Sequence, residues 1–172
     1  FYDYQFTNAD KVDFFIVATE AQKRILEQQF HHYSDKQPKI ATIPVGRLNQ
    51  LTYPKEPRKP YSMITASRLA TEKHIDWLVA ATVQAHAQLP ELTLDIYGKG
   101  SEEDKLRRRI EEAGAQDYIR LKGHADLSQI YAGYELYLTA STSEGFGLTL
   151  MEAVGSGLPL IGFDVRYGNQ TF

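Results

Sequence analysis

An α/β fold with a Rossmann-like parallel sheet and flanking helices is predicted for this chain by three observations. Apolar runs of strand length alternate with amphipathic runs of helix length, glycines fall where the strand-like runs end, and the chemically useful polar residues fall in the same places. Strands of a parallel sheet covered on both faces read as near-continuous apolar runs. Ligands collect beyond their carboxyl ends, so those ends are where a site is expected.

The elements follow in order. DFFIVAT (13–19) reads as a buried strand, and Thr19 stands as the N-cap of an amphipathic helix reaching Phe30. KIATIPVG (39–46) reads as a second strand ending at Pro44. Pro54, Pro57 and Pro60 then stand among charged residues and make a stiff connector over 47–60, where a domain boundary is placed. Beyond it a regular series is expected: strand 61–67, helix 72–89 holding Trp77, strand 92–98 and helix 102–113. Strand 118–123, a short helix near 127–131, strand 135–141, helix 148–156 and strand 158–163 complete it. The first residues lack an initiator Met and do not resemble a signal peptide, and the last show no helix stop or polar tail, so the chain is expected to be a piece of a longer protein.

Composition excludes several function classes. With 172 residues, 42% of them hydrophobic and 24% charged, the chain is globular in type rather than disordered. Its net charge of -3 offers no polycation for nucleic acid. The absence of cysteine removes disulfides, thiol catalysis and Cys-based zinc sites, and fits a reducing compartment. No apolar run is long enough to span a bilayer. Metal is not expected, because His31 and His32 diverge on a helix, no histidines stand at ligand spacing on one face, and there is no D-x-D pair.

The densest chemistry lies in TSEGFGLTLMEAVGSGLPLIG (142–162). Glu144 precedes the turn Gly145-Phe146-Gly147, a helix opens at Leu148, and Glu152 follows the first acid by eight residues. A glycine turn admits a ligand close to the backbone, and the helix start offers unpaired N–H groups and a positive dipole end to an anion such as phosphate. The plainer reading is an ordinary strand-to-helix connection with Glu144 as a helix-start carboxylate. Arg68 and Lys73, in SRLATEK, open another helix and together would neutralise two phosphate charges; as surface cations they would do nothing more. Gly98-Lys99-Gly100 lacks the third glycine of the dinucleotide fingerprint, and no GxxxxGK[ST] occurs. EEDKLRRRIEE (102–112) reads as a solvated face with Glu103–Arg107 and Asp104–Arg108 pairs four apart. Ser156 is no hydrolase nucleophile, since G-x-S-x-G is absent and it falls at a helix end.

Taken together, SRLATEKHIDWLVAA, DIYGKG, LKGHADL and SEGFGLTLMEAVGSGLPLIG resemble the carboxyl-terminal domain of the family 4 retaining glycosyltransferases. That resemblance implies the GT-B fold, in which 61–172 would be most of the nucleotide-sugar-binding donor domain and 1–46 the last strand-helix-strand of the acceptor-side domain. It implies Glu144 as catalytic residue and, with Gly145 and Phe146, as the donor-sugar contact; Arg68, Lys73, Gly147, Leu148 and Thr149 as the diphosphate site; Glu152 on ribose; and Gly123, His124, Ala125 and Leu127 around the base. Within the family the wording is most similar to the transferases that modify serine-rich adhesins. This implies UDP-GlcNAc as donor, no metal or other cofactor, a serine-rich acceptor protein modified on Ser/Thr, a homologous non-catalytic partner subunit, and a cytoplasmic location, at most peripheral to the membrane. A nucleotide-sugar epimerase of the same fold and a non-catalytic binding subunit are the alternatives. The Glu-Gly-Phe-Gly turn argues for transfer, and the joint presence of Arg68, Lys73, Glu144 and Glu152 argues for catalysis in the parent protein.

Overall fold

The computed structural model describes residues 11–33, 38–44, 46, 54, 56–142, 144 and 147–163. They fall into two compact units, one ending at Gly46 and one beginning after it.

In the first unit β1 (Phe14–Val17) and β2 (Lys39–Thr42) pair in parallel, joined by α1 (Glu20–Tyr33). Thr19 caps that helix as its sequence predicts: its Oγ1 accepts the Gln22 N–H at 3.1 Å, while Gln22 Oε1 accepts the Thr19 N–H at 3.2 Å. This reciprocal box satisfies amide groups that the helix cannot. Leu26 and Phe30 of α1 pack on Phe15, Val17 and Ile40. The expectation of a strand buried throughout is corrected here. Phe14 and Ile16 are 50% and 63% exposed, because the pleat turns them to the face that α1 does not cover. The second strand ends at Thr42, two residues before the expected end at Pro44, which has no N–H to extend the ladder.

The second unit is a five-stranded, wholly parallel sheet: β3 (Ser62–Ala66), β4 (Thr93–Tyr97), β5 (Ile119–Gly123), β6 (Leu136–Leu138) and β7 (Leu160–Ile161), in the order β5-β4-β3-β6-β7. The chain steps outward from β3 to β5, then returns to the other side of β3. The carboxyl ends of β3 and β6 therefore flank a topological switch point, where doubly wound sheets hold ligands. Alternation along the strands supplies two cores. Met63, Leu94, Ile96 and Ile119 face α2 (Ile75–His86) and α3 (Glu103–Glu112), whose Leu78, Val79, Leu106 and Ile110 are buried against them. On the other face Ile64, Ala66, Tyr97 and Tyr137 meet Tyr131 and the Leu150 and Ala153 side chains of α4 (Leu148–Gly155). Each buried Ile, Leu, Val or Met side chain among them contributes about 1.5–3 kcal/mol.

Three helical expectations change. The run 72–89 is not one helix: a 3-10 turn, Thr71–Lys73, is broken at His74, whose φ of 45° and ψ of 40° are left-handed, before α2 begins at Ile75. The short helix near 127–131 is a 3-10 turn at Tyr131–Gly133, carrying the fully buried Tyr131. On α3, Glu103 and Arg107 pair at 3.3 Å as expected, but Asp104 and Arg108 form no ion pair among the described residues; Arg109 instead reaches Asp76 of α2 at 3.2 Å. Among the described residues no helix is long and apolar enough to cross a membrane.

Candidate functional site

Beyond the carboxyl ends of β3 and β4 the two exit loops are zippered together. The Ser67 N–H donates to the Tyr97 carbonyl at 3.1 Å, the Leu69 N–H to the Lys99 carbonyl at 3.0 Å, and the Glu102 N–H to the Leu69 carbonyl at 3.0 Å. Two glycines allow this approach. A Cβ at Gly98, whose φ is 132°, would lie 1.8 Å from the Ser67 carbonyl oxygen, and one at Gly100 would lie 2.2 Å from that of Leu69. The Gly-Lys-Gly loop is thus shaped by its neighbouring loop, which carries Arg68. Its glycines serve the wall of the site rather than a phosphate.

The zippered loops form one side of a cavity of about 760 Å³. Ala66, Ser67 and Arg68 line it from the end of β3, Tyr97, Gly98 and Lys99 from β4, and His124 to Ser128 from β5. Thr149 and Glu152 of α4 face it from the opposite core layer. Gly147, buried with φ 75° and ψ 54°, is the N-cap residue of α4, a left-handed conformation that suits glycine. The first N–H groups of that helix have no intrahelical partners and are available to an anion.

Two buried tyrosines fix the α4 wall. Tyr137 of β6 donates its hydroxyl to the Ala66 carbonyl at 2.8 Å and meets Thr149 Oγ1 at 3.1 Å, so one oxygen joins the end of β3 to the first turn of α4. Burial pushes its ionisation up to about 12, which keeps the hydroxyl protonated. Tyr131 donates to Glu152 Oε2 at 3.3 Å; burial chiefly, with the neighbouring Tyr137 and Glu152, holds its ionisation well above the ordinary tyrosine range. Glu152 is thereby aimed into the cavity with a fixed donor behind it. Further back Tyr134, also raised mainly by burial, donates to the buried Asp95 at 2.6 Å.

Beside the cavity, residues 71 positions apart meet. Lys73 Nζ and Glu144 Oε1 are 2.6 Å apart, with only 12% and 13% of their side chains exposed. The surrounding loops are cross-linked, since the Thr142 N–H donates to the Glu72 carbonyl at 3.2 Å and His74 Nε2 lies 3.1 Å from Thr142 Oγ1. Arg68 is different in kind. It is 77% exposed and touches Glu72 at 3.2 Å, a contact worth little that a ligand can replace.

The sequence-predicted residues therefore divide. Arg68, Thr149, Glu152, His124, Ala125 and Leu127 converge on one cavity. Gly123 stands just before the cavity wall that follows β5, with φ 69°, and its carbonyl accepts the Gly98 N–H at 2.8 Å. Lys73 and Glu144 do not line the cavity but pair beside it. Leu148 turns outward, 42% exposed, so only its backbone can serve an anion. Gly145 and Phe146 lie outside the described residues. Sequence reasoning missed Tyr131, Tyr137 and Ser128. The one available signal was hydroxyl-bearing aromatics recurring through YAGYELYL, an otherwise strand-like and apolar stretch. Among the described residues no group of three or more His, Cys, Asp or Glu gathers as a metal site.

Comparison with known proteins fits this geometry. The family model described as glycosyl transferases group 1 matches residues 50–171. The UDP-N-acetylglucosamine–peptide N-acetylglucosaminyltransferase GtfA subunit of Streptococcus gordonii is 98% identical over all of this chain, which spans 34% of that protein. The crystal structure of the pneumococcal O-GlcNAc transferase GtfA in complex with UDP and GlcNAc superposes with a TM-score of 0.94 at 70% identity, over 99% of this chain and 34% of that one. That of a GtfA/B complex superposes with a TM-score of 0.86 at 98% identity, over 100% and 34%. The chain thus spans about a third of the length of these relatives.

Proposed function

From the premise that this chain belongs to the group 1 glycosyl transferases, we propose that it is the donor-side part of a UDP-GlcNAc-dependent transferase that glycosylates Ser and Thr of a serine-rich protein. One observation carries the reading. A basic residue, a helix N-terminus, a tyrosine-held carboxylate and the exit loop of β5 all face one cavity beside the switch point, in an order that suits diphosphate, ribose and base. Arg68, Lys73 and the amides of Gly147 to Thr149 hold the diphosphate without a metal. Glu152 accepts the ribose hydroxyls, His124, Ala125 and Leu127 border the base, and Glu144 serves the sugar, a role that the family resemblance extends to Gly145 and Phe146.

In the reaction the bond from the anomeric carbon to the UDP oxygen breaks, and its electron pair stays on the diphosphate. Arg68, Lys73 and the α4 dipole stabilise that growing charge. The acceptor hydroxyl attacks from the same face and transfers its proton to the departing phosphate oxygen, so configuration is retained without a protein nucleophile. Glu144 opposes the positive charge that develops on the sugar ring. The relatives named above, one of them solved with UDP and GlcNAc, support this donor.

Residues 1–46 belong to the acceptor-side domain in this reading, and 47–60 to the connector. A homologous non-catalytic subunit completes the enzyme, a proposal supported by the similar chain solved in a GtfA/B complex. In the same reading the work is done in the cytoplasm, which a nucleotide-sugar donor and a composition suited to a reducing compartment support. Calorimetric titration of the full-length protein with UDP-GlcNAc, UDP-glucose and GDP-mannose, in the presence of a chelator, tests the reading. Preferential binding of UDP-GlcNAc is expected; a preference for GDP-mannose, or binding abolished by the chelator, would overturn it.

A further inference from the structure

Two of the three cations near the cavity already have a carboxylate: Arg68 meets Glu72 at 3.2 Å and Lys73 meets Glu144 at 2.6 Å. Lys99 lines the cavity and makes no ion pair among the described residues. Its backbone is held firmly. The Lys99 carbonyl accepts the Leu69 N–H at 3.0 Å, and the flanking Gly98 and Gly100 are pressed against the Ser67 and Leu69 carbonyls. The side chain leans along the sheet edge toward β5, for its Cε lies 4.0 Å from the place where a Cβ on Gly123 would stand. His124, the next residue, opens the wall assigned to the base. Arg68 and the α4 N-terminus serve the phosphate end, from β3 and the opposite core layer. An ammonium reaching over Gly123 thus serves the base end of the cavity.

An ammonium has three N–H donors and no acceptor. It can satisfy a ring carbonyl but has nothing to offer an exocyclic amine. Uracil carries a carbonyl at C4, where cytosine carries an amine. We infer that Lys99 is a specificity residue of the nucleotide site, its ammonium donating to the C4 carbonyl of the base and so selecting a 4-keto pyrimidine over a 4-amino one. The inference rests on the nucleotide-donor reading of the cavity.

UDP and CDP bear the same phosphates and differ only at C4 and in the proton on the adjoining N3, so calorimetric titration of the full-length protein with each separates the phosphate and base roles. The wild type is expected to favour UDP. Lys99→Met keeps the length of the chain and removes its donors; it should weaken UDP about tenfold while changing CDP less than twofold. Lys99→Gln, whose amide can present either an N–H or a carbonyl, should bind the two nucleotides about equally. Thermal unfolding of the variants confirms that this exposed position has not disturbed folding. Equal losses for UDP and CDP in Lys99→Met would make Lys99 a phosphate cation, and no loss would make it a solvated one; either overturns the inference. Arg68→Ala is the control. If it weakens both nucleotides alike while Lys99→Met leaves their ratio unmoved, the nucleotide site stands and the role of Lys99 falls. If the wild type binds neither nucleotide, both readings fall.

Discussion

Replacing Glu144 by Gln should tighten UDP while slowing transfer, an opposition that follows from the ion pair it makes. Lys73 and Glu144 stand 2.6 Å apart and are nearly buried. At an effective dielectric of 20 their gross attraction is about 6 kcal/mol, before the desolvation of each ion is subtracted. A diphosphate that draws on the same ammonium must share it with this carboxylate and also bears the repulsion between the two anions. Gln keeps the size and a hydrogen-bond acceptor but removes the charge. If the diphosphate recovers about a tenth to a fifth of that attraction, UDP binds roughly threefold to tenfold more tightly. Turnover should nevertheless fall, on the order of 10² to 10³, since the carboxylate opposes charge that grows only in the transition state. Calorimetry with UDP, and the rate of UDP release from UDP-GlcNAc with an acceptor peptide, read the two effects on full-length enzyme. A Gln variant that binds UDP tenfold more weakly would refute the sharing of Lys73. One that turns over normally would reduce Glu144 to a structural partner of Lys73.

Other outcomes follow from neighbouring geometry. Glu152→Ala should weaken UDP and uridine alike, by about tenfold, and lose less on the 2′-deoxy analogue; calorimetry with the three ligands checks this. Gly98→Ala should cost several-fold in UDP affinity and lower the melting temperature, because its methyl group would stand 1.8 Å from the Ser67 carbonyl oxygen and force apart the loops that present Arg68. Tyr137 resists ionisation up to about 12 in the fold but ionises near 10 when unfolded, so the folded state binds more protons in that window and stability falls as pH rises through it. The slope is about 1.4 kcal/mol per pH unit for each such tyrosine. Tyr131 and Tyr134 act in the same sense, and Tyr137→Phe should show a shallower alkaline decline in chemical unfolding followed by circular dichroism.

The sheet and the motif helix were legible because their signals are local. SMITA and TLDIY are short apolar runs between helix-length segments, and α4 opens at the residue after the Gly147 turn. Local signals failed where a neighbour decided the outcome. His74 occupies a left-handed conformation that breaks the expected helix, and nothing in SRLATEKHIDW announces it. Arg68, Thr149 and Glu152 could be nominated from spacing and family resemblance, but their convergence depends on Tyr137 and Tyr131, whose hydroxyls reach across elements. The spacing of the Gly-Lys-Gly loop argues against a dinucleotide fingerprint but does not say what its glycines are for, because the loop beside it decides that. Proximity of Lys73 to Glu144 spans 71 positions, and a strand order is needed to bring them together.

The hydroxyl of Tyr137 has a consequence for how a nucleotide enters. Because it spans the end of β3 and the first turn of α4 from within the core, the amides proposed to meet the phosphates are set in place as the sheet itself folds. A wall tied in this way should lose little ordering entropy when ligand arrives, with its dipoles already aimed. Docking to this half of the site should therefore resemble a key entering a cut lock, with association limited by encounter rather than by closure of the loops, and with each increment of bound nucleotide reported as stabilisation of the whole sheet.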